Sequence, residues 1–220
     1  MIFFRTSLAT LLALCVSGLA LAQEPLQAIL DRGYIAHWLV CGPFSPDADG
    51  GVMAAVKRGD PALADRDYMA SAGGIGRLMP KHLLRIKSDA GEAIWQQAGT
   101  QDATLDLSPF FPKSDEGVAY AAFITTADAA RAVFLDLETP LGARVWCNGK
   151  QVRDIAAKPV TAAGLDRFVL NFSKGTNVVV AEIPGAAYAA LAIAAGMSET
   201  ELAARGFVNR PLLRGRSGYE

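Results

Sequence analysis

Three sets of side chains in this 220-residue chain have types and spacing that could do chemistry. The first is aromatic. Trp146 stands in the run Val145-Trp146-Cys147-Asn148-Gly149-Lys150-Gln151-Val152, on the opposite side of an extended strand from Val145 and Cys147. Trp95 closes Ala93-Ile94-Trp95. An indole face can stack on the C–H groups of a pyranose while a few fixed polar groups take its hydroxyls. Asn148, Lys150, Arg153 and Tyr68 are the candidate companions, together with Tyr120. The competing reading is structural, with Trp95 and Tyr120 in the core and Lys150 a solvated turn residue.

The second set is acidic. Asp47-Ala48-Asp49-Gly50 offers two carboxylates in a flexible loop, the hard oxygen ligands that a calcium ion takes. A solvated acidic turn is the alternative. The loop is not an EF-hand, because Arg58 stands where the bidentate Glu would be needed. The third set is the thiols. Cys41 and Cys147 both fall in expected strands, so a disulfide between neighbouring strands or facing sheets competes with two buried free thiols. There is no Cys-x-x-Cys for metal or redox work.

Catalytic arrangements are harder to assemble. Only His37 and His82 are available as bases, and His37, inside a strand beside Trp38, reads as a core histidine. No Gly-x-Ser-x-Gly elbow occurs, and Gly215-Arg216-Ser217-Gly218 lacks its spacing. Gly73-Gly74-Ile75-Gly76 has no preceding strand in a βαβ unit to make it a dinucleotide loop. Paired carboxylates could hydrolyse a glycoside, but 22 acidic residues do not single out a pair. The balance falls on a non-catalytic protein.

The elements that would position these groups are mostly strands. Asn148-Gly149 suits a two-residue primed turn, since both residues tolerate positive φ. Phe168-Val169-Leu170-Asn171-Phe172 leads through Lys174-Gly175 into the β-branched Val178-Val179-Val180, and Asn177 can cap that turn with its amide. Residues 118–125 are almost continuously apolar, as expected of a strand covered on both faces. Residues 132–138 alternate, with Val133, Leu135 and Leu137 on one side. Residues 35–41 read as a strand ended by Gly42-Pro43-Phe44, and 188–193 as a further strand. Residues 25–32 read as a short helix burying Leu26, Ile29 and Leu30, with Gly33 beyond its end. Residues 45–87 read as irregular, with a helical turn at 63–69. Ser198 and Glu201 make a capping box for a helix at 198–205. The class is all-β, an antiparallel jelly-roll β-sandwich with short flanking helices.

Residues 1–22 read as a secretory signal peptide: Arg5, an apolar stretch at 8–21, then Ala20-Leu21-Ala22 before Gln23. The stretch is short for a bilayer span of roughly 20 residues, and Leu14 before Cys15 fits a lipoprotein site poorly. The expected division is thus a leader at 1–22, a sandwich domain at 23–200, and a helix end and tail at 201–220, located in the periplasm or outside the cell. A net charge of −1 gives no nucleic-acid footprint. A hydrophobic fraction of 51% with 20% charged residues argues against disorder. No membrane span is expected after the leader is removed.

Three motifs carry a family resemblance. Trp38-Leu39-Val40-Cys41-Gly42-Pro43-Phe44, Val145-Trp146-Cys147-Asn148-Gly149-Lys150 and the passage from Phe168 to Val180 occur in that order. Together they resemble the galactose-binding-domain-like jelly roll. That group includes the sugar-binding domain of family-two glycoside hydrolases and modules of other exported bacterial proteins. The resemblance implies a carbohydrate-binding-type module, a poly- or oligosaccharide ligand and a structural calcium ion. Such modules usually accompany a catalytic domain, for which this chain has no room, so a separate envelope enzyme or protein is the expected partner. A structural or protein-interaction domain of the envelope is the alternative, and a glycoside hydrolase the less favoured one, because fold does not fix activity.

Overall fold

The computed structural model describes residues 23–44, 66–101, 104–107, 109–111, 117–138, 142–155, 166–184 and 188–194. The leader, Asp47 and Asp49, and the helix expected at 198–205 lie outside these residues. The described strands are β1 (Gln23–Pro25), β2 (His37–Phe44), β3 (Arg85–Ser88), β4 (Gly91–Ile94), β5 (Gln96–Gly99), β6 (Thr104–Asp106), β7 (Val118–Ala127), β8 (Arg131–Glu138), β9 (Ala143–Cys147), β10 (Lys150–Ile155), β11 (Asp166–Phe172), β12 (Gly175–Pro184) and β13 (Tyr188–Ala194). One helix, α1 (Leu26–Arg32), joins β1 to β2.

The strands form two main sheets. The large one runs β10-β9-β12-β7-β2-β5, and the small one runs β11-β8-β13-β6. Successive strands from β7 onward alternate between the sheets apart from the β9–β10 hairpin, which is the winding of an antiparallel jelly-roll sandwich. β1 is an exception to the antiparallel rule. It pairs parallel with the far half of β7, at residues 124–126, where β2 no longer reaches.

Side-chain alternation explains the layering. Ala119, Ala121 and Phe123 of β7, Val179, Ala181 and Ile183 of β12, and Val145 and Cys147 of β9 all face inward. They meet Val133, Leu135 and Leu137 of β8 and Phe168, Leu170 and Phe172 of β11. Leu26, Ile29 and Leu30 of α1 join the same core, and Gly33 ends the helix in the left-handed region at φ 84.

The large sheet is also apolar on its other face. Leu39, Cys41, Val118, Tyr120, Ala122, Val178 and Val180 point outward there. They are covered by Tyr68, Met69, Leu78, Ile86, Ala93 and Trp95. This cover comes from residues 66–95, which hold two 3₁₀ turns (Ala70–Ala72 and Ile75–Arg77) and the β3–β4 hairpin. The hairpin's first strand falls at the end of the stretch 45–87 whose sequence reads as irregular, and its second overlaps Ala93-Ile94-Trp95, which reads as a short strand. Each of its strands is four residues long, too short for alternation to stand out. Of the helical turn expected at 63–69, residues 63–65 lie outside the described residues, and residues 68–69 form a turn that leads into the first 3₁₀ turn.

The turns follow their residue types. Asn148 and Gly149 have φ 50 and φ 77, the primed geometry. The Asn177 amide donates to the carbonyls of Ser173 and Gly175 at 2.8 and 2.9 Å and accepts from the Ser173 amide at 2.9 Å. It also accepts from the Asn148 side chain at 2.8 Å, while Asn148 Oδ1 takes the Val178 amide at 2.9 Å. Two turns distant in sequence are therefore tied by one amide pair.

Two expectations need correction, and of the two alternatives for the thiols the structure shows the second. Gly42-Pro43 does not end the first strand. β2 continues to Phe44 across a register shift, so the pair forms an irregularity within the strand. His37 is exposed rather than buried. Cys41 and Cys147 are not joined; both are buried free thiols. They lie on opposite faces of the large sheet, and β12 and β7 separate their strands. Three strand spacings are about 14 Å, beyond the roughly 7 Å that a disulfide tolerates between Cα atoms. Burial raises the Cys41 thiol to about 12 and the Cys147 thiol to about 11.

Two outcomes are expected. Iodoacetamide should leave Cys41 and Cys147 unmodified in the native protein and label both after unfolding, read by peptide mass spectrometry. A cross-linked 41–147 peptide would contradict the placement. Gly149→Ala should destabilise by more than about 1 kcal/mol in chemical denaturation, because φ is positive and a Cβ would land on the Gly76 carbonyl. An unchanged midpoint would show that residues 74–77 do not rest on that turn.

Candidate functional site

The outer face of the large sheet carries a row of charged and polar side chains toward its β10 edge. Residues opposite one another on antiparallel strands share a face. Asp154 of β10 lies opposite Arg144 of β9, Arg144 opposite Glu182 of β12, Glu182 opposite Tyr120 of β7, and Tyr120 opposite Cys41 of β2. One row thus crosses five strands, from exposed Asp154 to fully buried Tyr120 and Cys41. The neighbouring row begins with exposed Gln151, then Trp146 and Val180.

The first row is bonded along its length. Tyr120 Oη donates to Glu182 Oε2 at 2.7 Å. Arg144 donates to Glu182 Oε1 through Nε at 2.9 Å and Nη2 at 2.5 Å. The guanidinium also lies 5.6 Å from the Trp146 ring centroid, a cation–π distance. Burial is the main force raising the Glu182 carboxyl above its ordinary value, opposed by the charge of Arg144 and the bonds from Tyr120 and Arg144. Burial likewise drives the Tyr120 phenol upward, reinforced by the adjacent Glu182 charge.

Residues 66–77 border this face. Asp67 accepts from the amides of Met69 at 2.9 Å and Ile75 at 3.2 Å. That anchors the Gly73-Gly74-Ile75-Gly76 bend, which the close approach of Gly76 to Gly149 sets against the β9–β10 turn. The bend is a packing device. Tyr68 stacks on Phe44 at 5.3 Å between centroids, and Trp95 Nε1 is buried without a hydrogen-bond partner among the described residues.

The sequence-derived candidates are not gathered in one place. Trp95 is wholly enclosed in the outer core, and Tyr68 is 2% exposed. Trp146 is on the outer face as expected, but only 8% exposed. Asn148 uses its amide to hold Asn177 and Val178. Lys150 and Arg153 are exposed, but they pair with Cys147 and Val145 and so share the inward side at the sandwich rim, where Arg153 reaches Asp166 at 3.4 Å. A register shift between Gln151 and Arg153 produces this split. Among the described residues, no group of three or more His, Cys, Asp or Glu is placed to hold a metal ion, and no helix is long and apolar enough to cross a membrane.

Sequence reasoning missed Arg144, Gln151, Asp154 and Glu182. A partial signal existed for Glu182, a lone charge inside the apolar run Val178-Val179-Val180-Ala181-Glu182-Ile183. Its partners depend on strand order. Tyr120→Phe removes the donor to a buried carboxylate and is expected to cost about 1–3 kcal/mol in chemical denaturation. A neutral result would show that Glu182 does not depend on that bond.

No protein-family model matches the chain, and no curated protein matches it. Similar solved structures include a family 35 carbohydrate-binding module from an environmental isolate, at 15% identity and TM-score 0.30, covering 36% of this chain and 66% of that one. A β-glucosidase from Kluyveromyces marxianus in complex with glucose has 10% identity and TM-score 0.37, covering 48% of this chain and 15% of that one. The PA14 sugar-binding domain from an RTX adhesin has 13% identity and TM-score 0.33, covering 73% of this chain and 88% of that one. The all-β, antiparallel sandwich architecture rests on the strand pairing itself.

Proposed function

We propose that this chain is an exported, non-catalytic β-sandwich module that binds carbohydrate on the outer face of the large sheet, at its β10 edge. One observation carries the reading. On a single face, beside the outermost described strand, an indole, a guanidinium, two carboxylates and a carboxamide stand together as Trp146, Arg144, Glu182, Asp154 and Gln151. Such groups offer sugar hydroxyls both donors and acceptors. Trp146 presents a margin rather than a full ring face, so hydroxyl pairing contributes more here than stacking.

The non-catalytic part is supported by how the nearby acids are used. Both Glu182 oxygens accept bonds from Arg144 and Tyr120, and both Asp67 oxygens accept backbone amides. Neither stands ready to move a proton to or from a substrate. Export rests on the leader pattern at 1–22, and a separate envelope enzyme or protein is the proposed partner.

A second reading, a protein-interaction domain of the envelope, draws on Met79 and Leu83. These apolar side chains are 50% and 67% exposed, and Leu83 is held in the left-handed region at φ 66.

Affinity electrophoresis against a panel of polysaccharides tests the first reading. Retention is expected on at least one glycan, weakened about tenfold or more by Gln151→Ala or Asp154→Ala and unchanged by Lys150→Ala. No retention on any glycan, with a partner captured through Met79 and Leu83, would replace it by the second.

A further inference from the structure

The proposed sugar face has a charge pattern that selects among sugars, and this inference rests on the reading above. Arg144 is the only cation in its row, and it stands between two acids. Glu182 is opposite on one side and binds it at 2.5 and 2.9 Å. Asp154 is opposite on the other, on an exposed strand at the sheet's edge. The guanidinium charge is therefore already balanced, and the row carries a net negative charge. Lys150 and Arg153, the nearest cations along the chain, face the other side of the sheet.

We infer that the site takes neutral poly- or oligosaccharides and discriminates against uronate-containing and other anionic glycans. A ligand carboxylate entering from solvent would meet Asp154 first, and then a guanidinium held by Glu182. Like charges in contact destabilise a complex, and an unpaired carboxylate removed from water has no compensating partner. A neutral ligand meets no such conflict. Its hydroxyls donate to the Asp154 carboxylate and the Gln151 carbonyl and accept from the Gln151 amide. Discrimination then comes from repulsion as much as from attraction.

Calorimetric titration with two sets of oligosaccharides tests this: neutral xylo-, manno- and galacto-oligosaccharides, and anionic oligogalacturonates and alginate oligomers. Binding is expected in the neutral set and at least tenfold weaker or undetectable binding in the anionic set. Asp154→Asn keeps an acceptor and removes the charge, so it should narrow that gap by about threefold, the repulsion of one unit charge across several ångströms of water. Raising salt from 0.01 to 1 M should narrow it in the wild type but little in the variant. Anionic oligomers binding as tightly as neutral ones would overturn the inference and leave the carbohydrate-binding reading standing. Binding by neither set would overturn both. A gap that neither Asp154→Asn nor salt changes would show that the preference does not arise from this row.

Discussion

β7 and β12 cannot face water on either side, and the rest of the architecture follows from that constraint. Both strands are ten residues long, pair along their whole length, and are buried on both faces over most of it. A strand apolar on both faces needs two covers. The small sheet supplies one. Residues 66–95 supply the other, placing Tyr68, Met69, Ile86 and Trp95 over the outer face. Burying one such side chain is worth about 1.5–3 kcal/mol, so the second cover is an integral layer of the fold.

The candidate site is a consequence of where that cover ends. The outer cluster takes in residues of β2, β7 and the Val178–Val180 part of β12, and beyond it the same face carries Glu182, Arg144 and Asp154. Burying the Glu182 charge costs several kcal/mol unless it is fully bonded, and Arg144 and Tyr120 satisfy both its oxygens. The row thus grades from a closed ion pair near β12 to solvated groups on β10. The same row that completes the outer layer presents Asp154 to solvent, and the neighbouring row presents Gln151.

Local geometry was legible in the residues. The Asn148-Gly149 turn, the Asn177 cap, the short helix ended by Gly33 and the two-faced burial of β7 each follow from a few neighbouring positions. So does the division of β9 into Val145 and Cys147 against Arg144 and Trp146. What was not legible depends on strand order and register. Nothing near Cys41 or Cys147 reveals that two strands separate them. The register shift in β10 returns Arg153 to the face of Lys150, and only pairing with β9 shows it. Arg144 and Glu182 are 38 residues apart and meet only because β12 lies beside β9.

Amide hydrogen exchange with and without a bound neutral oligosaccharide tests the central claim most directly. Added protection is predicted in residues 144–154, extending to the part of β12 that pairs with β9, with the loops at the sandwich ends unchanged. Protection concentrated at the β3–β4 hairpin or on the small sheet, with residues 144–154 unaffected, would contradict the account.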